Sequence, residues 1–356
     1  MRLCSDGWLA ADGTGPTDSH DRRLSLRPWG MAFWFIIEVE DEQVPEVIAS
    51  PSLQRQRYGP RMKKLSVERW SPALGAEVHD LDLVLELGGD EGLAVATAEA
   101  IYDALIDHQV LFFRNQPLTP EVHVRLGQLL GDLAPRHHSY NTLPEQGDVA
   151  VLDWQPGDRP DASEWHSDMT FREKPPFASI LKAVIVPPVG GDTLWASMYS
   201  VYDTLDPGFR SDLEGMQICH DPGQFRNGAY DSDGNQGITD MMVSAGSAVW
   251  PIVSHHPVTE RPYINVSESN SRWIMGTGAG ESQRIVSYLL DAINRPDHQV
   301  RLRWRPDTIA IWDNRGSQHY AVADYPTYRR VMHRVAVDTD RRLEQRTAER
   351  SIVTIT

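Results

Sequence analysis

The sequence predicts a mainly β fold, an antiparallel β core with helices packed outside it. Three observations predict this. Helical spacings come early in the chain, strand spacings come late, and no strand–helix–strand alternation links them. A doubly wound parallel sheet requires that alternation.

The elements follow in order. From Leu65 the pattern is regular, and Leu93, Ala96, Ala100, Ile101 and Leu105 recur at helical spacing over Glu91 to His108. Val110-Leu111-Phe112-Phe113 is a short apolar run of strand type. Thr119-Pro120-Glu121 starts a second helix. The threonine hydroxyl can cap it, and proline suits the first helical position, where an N–H has no intrahelical partner anyway. Leu126, Leu129, Leu130 and Leu133 mark the buried face, with Gly131 near the end. Val149 to Trp154 reads as a strand and Tyr199 to Leu213 as helical. Ile285, Leu289 and Ile293 mark another helix, stopped near Pro296. In the last third Arg301, Arg303 and Arg305 alternate with Leu302 and Trp304, a period of two. Ile309 to Trp312 and Arg330 to Val337 are further strands.

Residues 1–61 differ in composition: Asp, Gly, Ser, Arg and Pro dominate 5–30 with little periodicity. They read as a poorly ordered extension, with Met62-Lys63-Lys64-Leu65 a natural start of the folded part. The expected division is an extension over 1–61, one folded domain over 62–340 and a C-terminal tail over 341–356.

At 40% hydrophobic and 24% charged residues, the 356-residue chain can bury a sizeable core. A formal charge of −16 argues against nucleic-acid and anionic-membrane surfaces, which need clustered Lys and Arg. No apolar run approaches the ~18 residues of a membrane span. Two cysteines, Cys4 and Cys219, do not make a disulfide framework and fit a cytoplasmic setting. A homo-oligomer stays open.

His166 and Asp168 are two apart, and on a strand such residues project to one face, where both can reach one ion. With a distant His319 they have the composition of a 2-His-1-carboxylate metal site, which leaves positions open for a cosubstrate and O2. A lone H-x-D is also common on polar surfaces. On a strand, Arg330, Met332 and Arg334 share one face, and Val331, His333, Val335 and Val337 the other. If the second face packs, two guanidiniums point inward and call for anions. If the strand is an edge, both lie in water. Gly190-Gly191-Asp192-Thr193 offers a turn and then a hydroxyl at a strand start. His137 and His138, and His255 and His256, lie in turn-like stretches. His220 beside Cys219 has no second pair at zinc-finger spacing. No H-E-x-x-H, G-x-S-x-G or phosphate-loop motif occurs.

Together, Trp165-His-Ser-Asp-Met-Thr-Phe171, Gly190-Gly-Asp-Thr-Leu-Trp195, Ile309-Ala-Ile-Trp-Asp-Asn-Arg315, Gln318-His-Tyr-Ala321 and Arg329-Arg-Val-Met-His-Arg334 resemble the taurine dioxygenase (TauD/TfdA) family. These are Fe(II)- and 2-oxoglutarate-dependent dioxygenases, and the resemblance covers roughly 63–340. It implies a double-stranded β-helix, or jelly roll, with iron at its mouth. It implies His166, Asp168 and His319 as iron ligands and Thr193 and Arg330 as 2-oxoglutarate binders. It matches Arg334 and His137 to contacts with a substrate anion, and Met169 to a position whose backbone N–H faces the substrate. Asp168 in place of Ala or Gly argues against a halogenase. The implied reaction hydroxylates a C–H of a small anionic substrate, foremost a sulfonate such as taurine, releasing an aldehyde and sulfite. 2-Oxoglutarate becomes succinate and CO2. Alkyl sulfates and aryloxyalkanoates are the alternative substrates, and a non-catalytic jelly-roll binding protein or a zinc hydrolase the alternative classes. Ala162 stands where the taurine enzyme has a substrate-contacting Asn, and Val266-Ser-Glu-Ser-Asn270 lacks an expected aromatic.

Overall fold

The computed structural model describes residues 63–345, apart from 136–139, 159, 161 and 223–245. The extension expected over 1–61, the end of the expected tail and His137 lie outside the described residues.

The chain begins with strands β1 (Ser66–Arg69) and β2 (Ala76–His79) and helices α1 (Leu83–Gly88) and α2 (Glu91–His108). β3 (Val110–Phe113), α3 (Pro120–Leu130), β4 (Asn141–Thr142) and β5 (Ala150–Trp154) follow. Next come β6 (Ala178–Ile185), β7 (Thr193–Ser197), α4 (Met198–Thr204) and α5 (Pro207–Leu213). β8 (Gln217–His220), β9 (Ala248–Pro251), β10 (Val253–His255), β11 (Pro262–Ile264) and β12 (Ser271–Ile274) lead to α6 (Ala279–Ile293). β13 (Gln299–Leu302), β14 (Ile309–Asp313), β15 (Ser317–Ala321) and β16 (Arg330–Val337) end the series.

Local chemistry sets the helix ends. Asp90 caps α2 by accepting from the Leu93 N–H at 2.9 Å. Leu93 therefore sits in the first turn and is 41% exposed, so the buried stripe begins at Ala94 rather than at Leu93. α3 starts as expected, with Thr119 accepting from the Val122 N–H and Pro120 first in the helix. The helical stretch expected over 199–213 consists of two helices. Asp206 accepts from the N–H groups of Gly208 and Phe209, and Pro207 has no N–H with which to continue α4.

Eight strands form the large sheet in the order β1-β2-β3-β14-β6-β16-β5-β4, antiparallel except for β2 with β3. A smaller sheet, β13-β7-β15, supplies the second layer. An isolated antiparallel bridge between His166 and His319 extends it by one residue pair. Strand alternation then divides the core. Val110, Phe112, Ala310, Trp312, Leu181 and Met332 point between the sheets, against Trp195, Leu302 and Trp304. Leu111, Phe113, Ile309, Ile311, Ile180 and Val335 point outward, against α1, α2 and α3. A third cluster packs α4, α5 and α6 on the far side of the small sheet.

β16 lies between β6 and β5, not at an edge. Its Val335 and Val337 are buried on the helix side, and Arg330, Met332 and Arg334 face inward. Of the two sequence readings of this strand, the packed one holds. The next consequence is a cation in the interior: Arg330 is 2% exposed.

Candidate active site

The small sheet positions the first pair of candidate ligands. His319 N–H donates to the His166 carbonyl at 2.8 Å, and His166 N–H returns a bond to the His319 carbonyl at 3.1 Å. Their rings come within 4.1 Å, centroid to centroid. After His166 the chain leaves the sheet. Ser167 Oγ donates to the Ser317 carbonyl at 2.7 Å, and Met169 takes a left-handed φ of 50°. This turn, not a strand pleat, aims Asp168 at the same point as the two histidines. The expected strand geometry of His166-x-Asp168 is thus replaced by a bridge residue and a tight turn. The turn is held from behind by Trp250, whose indole N–H donates to the Thr170 carbonyl at 2.6 Å, and by Asn270, which donates to Thr170 Oγ1 at 3.1 Å. Potential ligand atoms of His166, Asp168 and His319 lie within 4.8 Å of one another.

Hydrogen bonding prepares these groups for a cation. His166 Nδ1 lies 2.7 Å from the Glu164 carbonyl, which can only accept, so Nδ1 carries the proton and Nε2 keeps a lone pair. His319 Nε2 is 3.9 Å from Asp168 Oδ1. Burial, reinforced by His166, holds the His319 ring far below its usual pKa, hence neutral. Its Nδ1 is buried with no partner, beside the Trp312 ring at 4.7 Å. Burial pushes the Asp168 carboxyl up, but Arg334, His319, His166 and the Ser179 hydroxyl together outweigh it and hold it well below the carboxylate range. Two imidazoles and one carboxylate, converging at one point, are the donor set of an Fe(II) facial triad.

The triad opens on a cavity of about 120 Å³, room for on the order of ten water-sized groups. That is the scale of a small dicarboxylate. Arg330, Arg334 and Thr193 line it with Met169. Arg330 lies near the rings of Trp154 and Tyr325, at 5.6 and 5.9 Å, and its Nε is buried without a partner. Burial draws its pKa down, opposed by Tyr325 and by Asp192, itself paired with Arg301. Such a guanidinium is a receptor for an anion. Thr193 Oγ1 accepts from the Trp304 indole N–H at 3.0 Å. Indole is donor only, so the hydroxyl proton remains to donate. Arg334 Nη1 is 3.3 Å from Asp168 Oδ1 and its guanidinium is 5.7 Å from the Tyr140 ring.

The model of the taurine catabolism dioxygenase TauD, TfdA family matches residues 66–336. This chain belongs to that family.

The TauD/TfdA enzyme is 30% identical to an alkylsulfatase of Acinetobacter baylyi, over 77% of this chain and 85% of that one. It is 31% identical to an alpha-ketoglutarate-dependent sulfate ester dioxygenase of Pseudomonas putida, over 78% and 91%. A solved taurine dioxygenase from Burkholderia xenovorans superposes with a TM-score of 0.65 at 28% identity, covering 78% of this chain and 90% of that one. The enzyme is therefore an Fe(II)- and 2-oxoglutarate-dependent dioxygenase with O2 as second cosubstrate, and its two facing sheets are the family's jelly roll. No helix among the described residues is long and apolar enough to cross a membrane.

The structure brings seven sequence-derived site residues of the TauD/TfdA enzyme to one cavity: His166, Asp168, Met169, Thr193, His319, Arg330 and Arg334. Ala162 lines it too, so an apolar methyl occupies that wall. Sequence reasoning missed Ser179 and Trp304, which touch Asp168 and Thr193 rather than carrying motifs of their own, and Asn270, which lines the cavity and bonds to Thr170 beyond Met169. His220 and His256 are structural. His220 bridges Thr170 and Ser271 at 2.9 and 3.0 Å, and His256 binds Asp313 at 3.1 Å.

His220 and His123 predict an acid-sensitive fold. Burial lowers their pKa values to about 4 and about 3. The unfolded histidines, near 6.5, take up protons first, so ν_U exceeds ν_N and stability falls as pH drops from about 6.5 towards 4. The loss is on the order of 3 kcal/mol for each ring by pH 4. Asp168 and Asp313 contribute stability that is lost only at lower pH, because their pKa values are depressed. Urea midpoints at pH 7, 5.5 and 4.5 check this; midpoints that stay level or rise would contradict it.

Proposed function

We propose that this enzyme hydroxylates the carbon bearing the sulfur-oxygen group of a small alkyl sulfate, with alkanesulfonates accepted in the same pose. The observation that carries this reading is the inward face of β16. Two arginines four residues apart, about 13 Å along a strand, supply separate anion anchors at one cavity. Arg330 takes the distal carboxylate of 2-oxoglutarate, and the free Thr193 hydroxyl proton donates to the same cosubstrate. Arg334 takes the sulfo group. Both of the sulfate-ester relatives support an anion of that kind. Leu152, Ala162, Phe171 and Leu181 offer apolar surface to an alkyl chain. Taurine is supported less well, because its amino end would meet Ala162.

His166, Asp168 and His319 hold the metal through Nε2, one carboxylate oxygen and Nε2. Fe(II) with 2-oxoglutarate and O2 supplies the power to replace a C–H hydrogen by hydroxyl, with succinate and CO2 as coproducts. The chain's own work is positional. Arg334 fixes the sulfo group, and the Met169 backbone N–H faces the substrate. The apolar wall excludes water and leaves the reacting carbon over the triad. A carbon that carries both hydroxyl and sulfate then collapses: the O–H proton leaves, C=O forms and the C–O bond to sulfate breaks, giving aldehyde and sulfate. From a sulfonate the C–S bond breaks and the products are aldehyde and sulfite. We place the reaction in the cytoplasm, in keeping with a sequence that carries two cysteines and no disulfide framework.

The test is succinate formation with hexyl sulfate, hexanesulfonate, taurine and phenoxyacetate at matched concentrations. Hexyl sulfate is expected to give the highest rate, with aldehyde and succinate in equal amounts. A preference for taurine or phenoxyacetate would overturn the substrate assignment while leaving the enzyme class intact.

A further inference from the structure

We infer that Ser179 is a positioning residue for Asp168: its hydroxyl occupies one carboxylate oxygen and leaves the other alone to face the metal. The inference rests on the metal reading of His166, Asp168 and His319.

Ser179 lies on the inner face of β6, in the row continued by Leu181 and Ala183. It is level with Trp312 of β14 and Ala336 of β16 and is fully buried. A hydroxyl in such a row is costly unless it is hydrogen-bonded. Its partner is Asp168, to whose Oδ2 it donates at 2.7 Å. The other oxygen, Oδ1, is the one 3.9 Å from His319 Nε2 and 3.3 Å from Arg334 Nη1. The two oxygens thus have different surroundings. Oδ2 faces the sheet and its hydroxyl; Oδ1 faces the imidazoles and the cationic side of the cavity.

This division matters for the chemistry. A carboxylate that gives one oxygen to a cation leaves it more open positions than one that chelates through both. 2-Oxoglutarate and O2 need those positions. Turning the carboxylate to chelate would break the Ser179 hydrogen bond and leave a buried hydroxyl without a partner. Ser179 thereby keeps Asp168 a single-oxygen ligand, although it never reaches the cavity wall itself.

The test is Co(II) titration of the full-length protein, followed by visible absorption, which weakens as cobalt gains ligands. In Ser179→Ala, Co(II) affinity is expected to fall about tenfold or more, a range typical of lost outer hydrogen bonds. The absorption per bound cobalt is expected to fall as well, and Ser179→Thr, which keeps the hydroxyl, to restore both. Ser179→Cys, a weak donor of similar volume, should lie between Ala and wild type and serves if the Ala protein does not fold. Wild-type affinity and spectrum in folded Ser179→Ala or Ser179→Cys would overturn the role of Ser179. Asp168→Ala is the separate control: Co(II) binding unchanged there would overturn the metal reading instead.

Discussion

Arg330→Ala is expected to raise the 2-oxoglutarate concentration needed for half-maximal succinate formation by on the order of 100-fold or more. Truncating one partner of a buried charge pair costs roughly 2–5 kcal/mol, and each 1.4 kcal/mol is a factor of ten. The site of action is specific. Arg330 is buried, its Nε has no hydrogen-bond partner among the described residues, and it lies on the cavity face of β16. Mn(II) affinity should stay near wild type, because the candidate ligands His166 and Asp168 are held by Glu164, Ser179 and Arg334 and not by Arg330. Arg330→Lys should recover only part of the loss, since an ammonium lacks the planar fork that binds a carboxylate through two bonds. Equal 2-oxoglutarate dependence in wild type and Arg330→Ala would remove the assignment of the cosubstrate end.

Arg334→Ala should separate the two half-reactions. Turnover of alkyl sulfate is expected to fall by at least about 30-fold in kcat/KM, the low end of the cost of truncating a partner in a charge pair. Consumption of 2-oxoglutarate without substrate oxidation should survive. Arg334 also lies 3.3 Å from Asp168 Oδ1, so Arg334→Lys is the necessary companion, keeping a positive charge beside that carboxylate. Measured side by side, succinate and aldehyde should diverge in Arg334→Ala and remain closer in Arg334→Lys. Loss of both products together in the Ala variant would show that the division of labour between the two arginines is wrong.

What was legible in the sequence was mostly what a single strand face or helix end decides. The alternation in β16 separated Arg330 and Arg334 from the valines, and the threonine–proline pair located the start of α3. Whether that alternation pointed two arginines at a cavity or into water depended on β6 and β5 lying on either side. Neighbours in a sheet are long-range facts. β6 itself was not recognised, although it pairs with both β14 and β16. Both of its faces are covered over Ala178–Leu181, so the run lacks the polar–apolar alternation of a half-exposed strand. The break between α4 and α5 is written in Asp206-Pro207, a cap followed by a residue without an N–H. His166 and Asp168 converge for a reason other than the one inferred from their spacing: a turn with Met169 at positive φ does the work assigned to a pleat. Ser179 and Trp304 have no motif at all. Their importance lies in whom they touch, Asp168 and Thr193, and those partners come from other strands.

The pairing of His166 with His319 has a consequence for biosynthesis. The neighbouring contact, Ser167 with Ser317, already joins residues 150 apart. A chain emerging from the ribosome carries His166 and Asp168 long before it carries His319. Until β15 is made and paired with β7, two of the three donors stand without the third, and a two-donor site holds a divalent ion poorly. Loop closure over such a distance is a late and slow event for a β protein. The candidate metal site is thus complete only once the chain has been made and paired through β15.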